Sequence, residues 1–141
     1  DLLKRLRPLN VEPFDVEVLV SMANRIKGQA LFSSTGAVHA AVAFDRAGQP
    51  LVLREDIGRH NAVDKVVGRL YMDGCLPAGD LGLWVSGRAS FEMAQKAWAA
   101  GFASLVAVSG PSALAVETAR AANLQLAGFA RRDRLNLYTG D

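Results

Sequence analysis

A chain of 141 residues, 50% hydrophobic and 21% charged, has the composition of one soluble globular domain, large enough to bury about two thirds of its unfolded surface. A net charge of +2 does not by itself imply a nucleic-acid partner, no apolar run approaches the ~20 residues that cross a bilayer, and no secretory leader opens the sequence. The single cysteine, Cys75, excludes an internal disulfide framework and, with only two histidines and no Cys-x-x-Cys pair, leaves no convincing zinc site; a cytoplasmic protein without nucleic-acid or membrane partners is expected.

In chain order, the charged, leucine-rich residues 1–8 read as the end of something begun upstream, and 1–14 as a linker at the start of a single domain spanning 1–141. Asp15 is a plausible N-cap for a helix whose apolar face is Val18, Leu19, Met22 and Ile26. Residues 38–45 and 51–54 are apolar and β-branched, and the Gly- and Pro-containing segment 46–50 between them signals a hairpin. Helical spacing returns over 61–71, with Gly74 closing it. The chain then alternates: strand 81–85, helix 89–100, strand 105–108, helix 112–122, and short strands 124–129 and 135–138. Continuous apolar strands separated by helices imply a sheet covered on both faces. The expected fold is therefore a three-layer α/β/α sandwich with a mixed sheet, since its first two strands form an antiparallel hairpin.

In such sheets ligands bind where strand carboxyl ends lead into helices. The unusual polar clusters fall at those places. Arg54, Glu55, Asp56, Arg59, His60 and Asn61 follow one strand and open a helix. Helix N–H groups with Arg59 and His60 suit phosphate, and Glu55 or Asp56 suits the N–H edge of a base or a ribose hydroxyl. A capped, solvated helix start held by ion pairs is about equally compatible, and Asp64 and Lys65 either face the pocket or pair with neighbours. Ser86, Gly87, Arg88 and Ser90 repeat the arrangement after the next strand, with Arg88 the favoured ligand contact; an ordinary turn and capping pattern would read the same way. Ser109, Gly110, Pro111 and Ser112 follow the third strand, where the structural reading is favoured. Thr35, Gly36 and His39 precede the first strand, beside the small residues Ala40 and Ala41. Phe129, Ala130, Arg131, Arg132, Asp133 and Arg134 read as a basic loop in which arginine forks match phosphate and Phe129 stacks on a base; the bland alternative is a solvated turn. Cys75 has no basic neighbour or helix N-terminus to activate its thiol and reads as structural or incidental.

At these motifs the sequence resembles the FdhD family, the formate dehydrogenase accessory sulfurtransferases. The likeness runs through residues 35–41, 55–65, 86–93, 109–115, 128–131 and 134–139. It implies a cytidine-deaminase-like α/β/α core without that fold's zinc ligands. It further implies an activity in which sulfur from a cysteine desulfurase passes, as a persulfide, to the molybdenum (or tungsten) bis-guanine-dinucleotide cofactor destined for formate dehydrogenase. GDP would serve as a partial mimic, and the Gly-Phe-x-Arg region, here Phe129 to Arg134, would belong to the cofactor site. Ala37 stands where the family often has a second glycine. The family's persulfide-forming Cys-x-x-Cys loop would precede Asp1, and Cys75 does not align with it, so no catalytic residue is expected within this chain. Rival readings are a non-catalytic module docking the desulfurase or the dehydrogenase and, less well supported, a nucleotide deaminase; a homodimer is plausible for a sheet with short edges. The cofactor reading requires Arg59, Arg88 and 131–134 to lie on one side of the molecule.

Overall fold

The helix read from Asp15 onward and the nine further elements that follow it can be compared with a computed structural model, which describes residues 6–27 and 39–141. Over these residues the order is α1 (Val16–Lys27), β1 (His39–Phe44), β2 (Pro50–Asp56), α2 (Arg59–Met72), β3 (Gly82–Val85), α3 (Phe91–Ala100), β4 (Ser104–Ala107), α4 (Ala113–Ala122), β5 (Gln125–Arg131) and β6 (Arg134–Thr139). The strands form one six-stranded sheet in the order β2-β1-β3-β4-β5-β6. β3, β4 and β5 are mutually parallel; β1 is antiparallel to both β2 and β3, and β6 is antiparallel to β5. The sheet is therefore mixed, as its leading hairpin required.

Helices cover both faces because both faces are apolar. Val63 and Val66 of α2, Met93 and Ala97 of α3, and Ala115 and Ala119 of α4 pack with Leu83, Leu105 and Leu126. On the other face Leu19, Met22 and Ile26 of α1 pack with Val42, Trp84, Val106 and Ala127. Alternate residues of β3 and β4 thus enter opposite cores, the reason these strands read as unbroken apolar runs. No helix among the described residues is long and apolar enough to cross a membrane.

Local chemistry sets the helix ends. Asp15 Oδ1 accepts from the Glu17 amide at 3.1 Å, so the residue does cap α1. Ser90 and Ser112 cap α3 and α4 by accepting from the amides of Met93 (3.2 Å) and Ala115 (3.1 Å). α2 ends at Gly74 and Cys75, whose amides return to the carbonyls of Tyr71 and Leu70.

The structure corrects two boundaries. β2 continues through Glu55 and Asp56, and α2 already includes Arg59 and His60, so the charged cluster is a strand end and a helix start joined by a two-residue link, not a loop. β2 is an edge strand, where charged residues are tolerated and an apolar criterion stops too early. The basic segment 129–134 is also not a loop: β5 runs to Arg131, and only Arg132 and Asp133 turn the chain into β6. Residues 6–14, within the expected linker, are firmly attached. The Leu9 amide donates to the Ala122 carbonyl at 2.8 Å, Trp98 Nε1 to the Arg7 carbonyl at 2.8 Å, and Asn123 Nδ2 to the Leu9 carbonyl at 2.9 Å. Arg46 lies 4.4 Å over the Phe14 ring and donates to the Pro13 and Gly79 carbonyls, both at 3.1 Å.

Candidate functional site

Strand direction determines which polar residues can meet. β2 to β5, apart from the reversed β1, point the same way, so their carboxyl ends share one edge of the sheet with the first residues of β1 and β6. That edge carries His39, Asp56, Ser86, Ser109, Arg131 and Arg134, with Arg59 and Arg88 on the segments that leave it. The geometric requirement is met: Arg59, Arg88 and 131–134 lie at the same end of the sheet. They form a row, not a ring. At a strand spacing of about 4.8 Å, the β2 tip stands roughly 20 Å from the β5 tip, with the β3 tip near the middle.

Main-chain bonds stitch the row together. The Ser86 amide donates to the Ala40 carbonyl (3.0 Å), and the Ala40 amide donates back to Ser86 Oγ (2.9 Å). The Ser109 amide donates to the Gly87 carbonyl (3.2 Å), and the Phe129 amide to the Ser109 carbonyl (3.2 Å). A side chain at Gly87 would meet His39 Nδ1 at 3.6 Å, which places the imidazole of β1 beside the β3–α3 turn.

Several candidate groups already have internal duties. Asp56 binds Lys65 at 2.8 Å through Oδ1, and its Oδ2 accepts from the Gly58 amide (2.8 Å) and from Asn61 Nδ2 (3.2 Å). These contacts, Lys65 first, hold its pKa down at about 2. Asp64 pairs with Lys96 at 2.7 Å. The ion-paired reading of this cluster therefore describes Asp56, Asn61, Asp64 and Lys65. Ser90 likewise spends its oxygen as a cap, and Glu92 is held ionised by its own backbone amide, by Ser90, and by the nearby charges of His60 and Arg59.

The arginines differ. Among the described residues, Arg59, Arg88, Arg131, Arg132 and Arg134 form no ion pair, and all are exposed. Gly58, the residue before α2, supplies no side-chain cap, so the first amides of the helix bearing Arg59 and His60 lack the hydroxyl that Ser90 and Ser112 supply elsewhere. Five guanidinium groups without a direct ion pair on one edge, Arg59 alone having the Glu92 carboxylate in its vicinity, favour an anion.

A cavity of about 360 Å³ opens at this edge on the α1 side. Candidate residues Ser86, Ala130, Arg131 and Arg132 line it together with Ala23, Asn24, Ile26, Lys27, Trp84 and Val108. Its walls are largely apolar, its charged lining residues are all cationic, and Asn24 Nδ2 fixes the β5–β6 turn by donating to the Arg132 carbonyl at 2.8 Å. Asn24, Lys27 and Trp84 had no signal in the sequence, because a helix end and a core strand look the same whether or not a cavity adjoins them. Arg59 and Arg88 do not line this cavity, and Thr35 and Gly36 fall outside the described residues. A larger cavity, about 910 Å³, lies at the opposite end of the sheet and is lined by Cys75 but by none of the candidate residues. Among the described residues no three His, Cys, Asp or Glu side chains gather as metal ligands.

Comparison with known proteins agrees with the motifs. The model of the FdhD/NarQ family matches residues 2–141. The chain is 49% identical over 135 residues to the sulfur carrier protein FdhD of Streptomyces avermitilis, covering 95% of this chain and 47% of that protein. It is 55% identical over 113 residues to the protein of the same name from Nocardia farcinica, covering 80% and 40%. It thus spans about half the length of these curated relatives. A crystal structure of a Desulfotalea psychrophila protein assigned as a formate dehydrogenase accessory protein superposes with a TM-score of 0.84 at 25% identity, covering 98% of this chain and 59% of that one.

Proposed function

Because the chain belongs to the FdhD/NarQ family, we propose that it is the cofactor-holding part of a sulfur carrier for formate dehydrogenase. Its substrate is the molybdenum (or tungsten) bis-guanine-dinucleotide cofactor, gripped through its guanine nucleotides. The observation that carries this reading is the row of unpaired arginines along one sheet edge. An edge of roughly 20 Å suits an extended ligand with several phosphates better than a single compact nucleotide. Arg59 and the first amides of α2 take phosphate at one end of the row, Arg88 at its middle, and Arg131, Arg132 and Arg134 at the other. Glu55 and His60 stand with Arg59 at the first of these points, His39, Gly87 and Ser109 lie between it and the last, and all five supply shorter-range contacts.

Sulfur would reach the cofactor from a cysteine desulfurase through a persulfide cysteine outside this chain. Cys75 takes no part, since it sits at the end of the sheet away from the arginines. The domain's contribution is positional: fixing the acceptor where the donor sulfur arrives removes the entropy of a bimolecular encounter, a gain of up to about 7–11 kcal/mol in ideal cases. In this reading a deaminase-like sheet uses its strand tips for binding and not for zinc-assisted hydrolysis.

Titration calorimetry with GDP at low ionic strength tests the proposal. Micromolar binding is expected, weakened about tenfold or more by Arg88→Ala with an unchanged melting temperature, as for loss of one charge-assisted phosphate contact. Absence of GDP binding, or equal binding by the Arg88 variant, would leave a docking module for the desulfurase or the dehydrogenase as the better description.

A further inference from the structure

The cavity of about 910 Å³ at the other end of the sheet has no role in the cofactor site, yet its walls are fixed. Residues 8–12 form one wall, held in place by the bonds that tie Arg7 and Leu9 to Trp98, Ala122 and Asn123. The Ala78 amide holds a second wall by donating to the Ala100 carbonyl at 2.9 Å. Leu9, Val11, Val52, Leu70 and Leu81 give the interior an apolar lining. The apolar surface does not stop at the mouth. Leu51 lines the cavity while 51% exposed, and Tyr71 and Met72, between the lining residues Leu70 and Asp73, are 74% and 81% exposed. A preformed recess with an exposed aromatic, a methionine and a leucine beside it has the anatomy of a docking surface.

Its charges are the reverse of those on the arginine row. The charged residues lining it are Glu12, Arg46, Asp73 and Asp80. Arg46 is engaged with the Pro13 and Gly79 carbonyls and the Phe14 ring, so its charge is turned to the fold. Asp73 meets Arg69 at 3.0 Å, but Glu12 and Asp80, both exposed, form no ion pair among the described residues. Two helices also end here, α2 at Asp73 and α3 at Gly101, and their carboxyl ends add partial negative charge. The recess therefore favours an apolar group within and cations at its rim. A compact ligand would fill the interior and leave Leu51, Tyr71 and Met72 in water, whereas a peptide continues over them.

We propose that this recess docks a cationic, apolar peptide segment of a partner protein, which inserts an apolar anchor and sets lysine or arginine against Glu12 and Asp80. Complementary charge would steer the segment to the rim, and burial of the anchor with Leu51, Tyr71 and Met72 would hold it. The inference stands apart from the nucleotide reading, since it uses no residue of the arginine row. Partner and anion occupy opposite ends of the sheet, so one need not leave before the other binds.

Selection of a phage-displayed library of random dodecapeptides on the immobilised chain, followed by fluorescence anisotropy with the selected peptides made synthetically, is the test. The selected peptides should combine lysine or arginine with leucine, isoleucine, phenylalanine or tryptophan. They should bind the double variant Glu12→Lys, Asp80→Lys at least about tenfold more weakly than wild type, and Leu51→Glu by a similar factor. All three positions are exposed, so both variants should melt within a few degrees of wild type, which separates lost docking from lost fold. Selected peptides that are neutral or acidic, or that bind wild type and both variants equally, overturn the proposal, as does a selection without enrichment. Sedimentation velocity is the second arm: if the chain associates with itself and Leu51→Glu abolishes the association, the occupant is a second copy and the proposal is overturned.

Discussion

At the amino ends of β3 to β5 the larger cavity is framed by contacts that tie the leading segment to the domain, although the buried Ser104 hydroxyl there has no hydrogen-bond partner among the described residues. Arg46 binds two carbonyls and the Phe14 ring, the leading segment 6–14 is bonded to α3, α4 and Gln125, and the buried Phe14 and Phe44 rings meet edge to face at 5.3 Å. At the carboxyl ends the arginines form no direct ion pair among the described residues, α2 begins without a side-chain cap, and Phe129 sits exposed in a left-handed bulge. One end is organised to hold the fold, the other to leave charge and an aromatic ring available. The same residue types appear at both, and only their pairing distinguishes them: Arg46 is spent on structure, Arg88 is not.

Substitutions at the two ends should therefore separate stability from binding. The largest effect is expected at the amino end. Phe44 is fully buried, and Phe44→Ala should destabilise by about 3–5 kcal/mol in chemical denaturation, a cavity-forming loss. Gly101→Ala comes next: its φ of +85° disfavours a side chain, and a Cβ would stand 2.7 Å from that of Pro77, so a loss of about 1–3 kcal/mol is expected. Neither change touches the arginine row, so the folded fraction should keep its GDP affinity, and loss of affinity without loss of fold would break the contrast. Arg88→Ala is the mirror case, shifting affinity and not melting. The smallest effect concerns pH. Asp56 titrates near 2, so its ion pair with Lys65 is fully present above the ordinary carboxylate range and is lost as pH falls through about 2. A carbon-detected NMR titration should find that midpoint, and Lys65→Met should raise it; an Asp56 midpoint near that of a free carboxylate would refute the anchoring of the β2–α2 link.

Much of this architecture was legible because periodicity and core burial coincide. β3 and, after Ser104, β4 are apolar throughout as both of their faces are covered, and Asp15 announced the start of α1. Both strands of the β5–β6 hairpin were legible, but their extension into the basic segment was not, since three arginines in four positions hide the alternation and the bulge at Phe129 shifts it. The site was legible as a set of places more than as a set of contacts. Sequence located the strand tips, but the engagement of Asp56, Asn61 and Ser90 with their own neighbours depends on which turn brings which amide within reach. Gly110 was read as part of an ordinary helix entry, and its close approach to a ring nineteen residues further along the chain is a property of the fold alone.

Gln125 illustrates a different economy. Its buried amide accepts from the Phe14 amide at 2.9 Å and donates to the carbonyls of Phe14 (3.1 Å) and Gly140 (3.4 Å). One side chain thus clasps the early and late parts of the described chain to the start of β5. Peeling either segment exposes a polar group that the other also needs, so the two should open as a single cooperative unit, and their amides should exchange with solvent at matched rates.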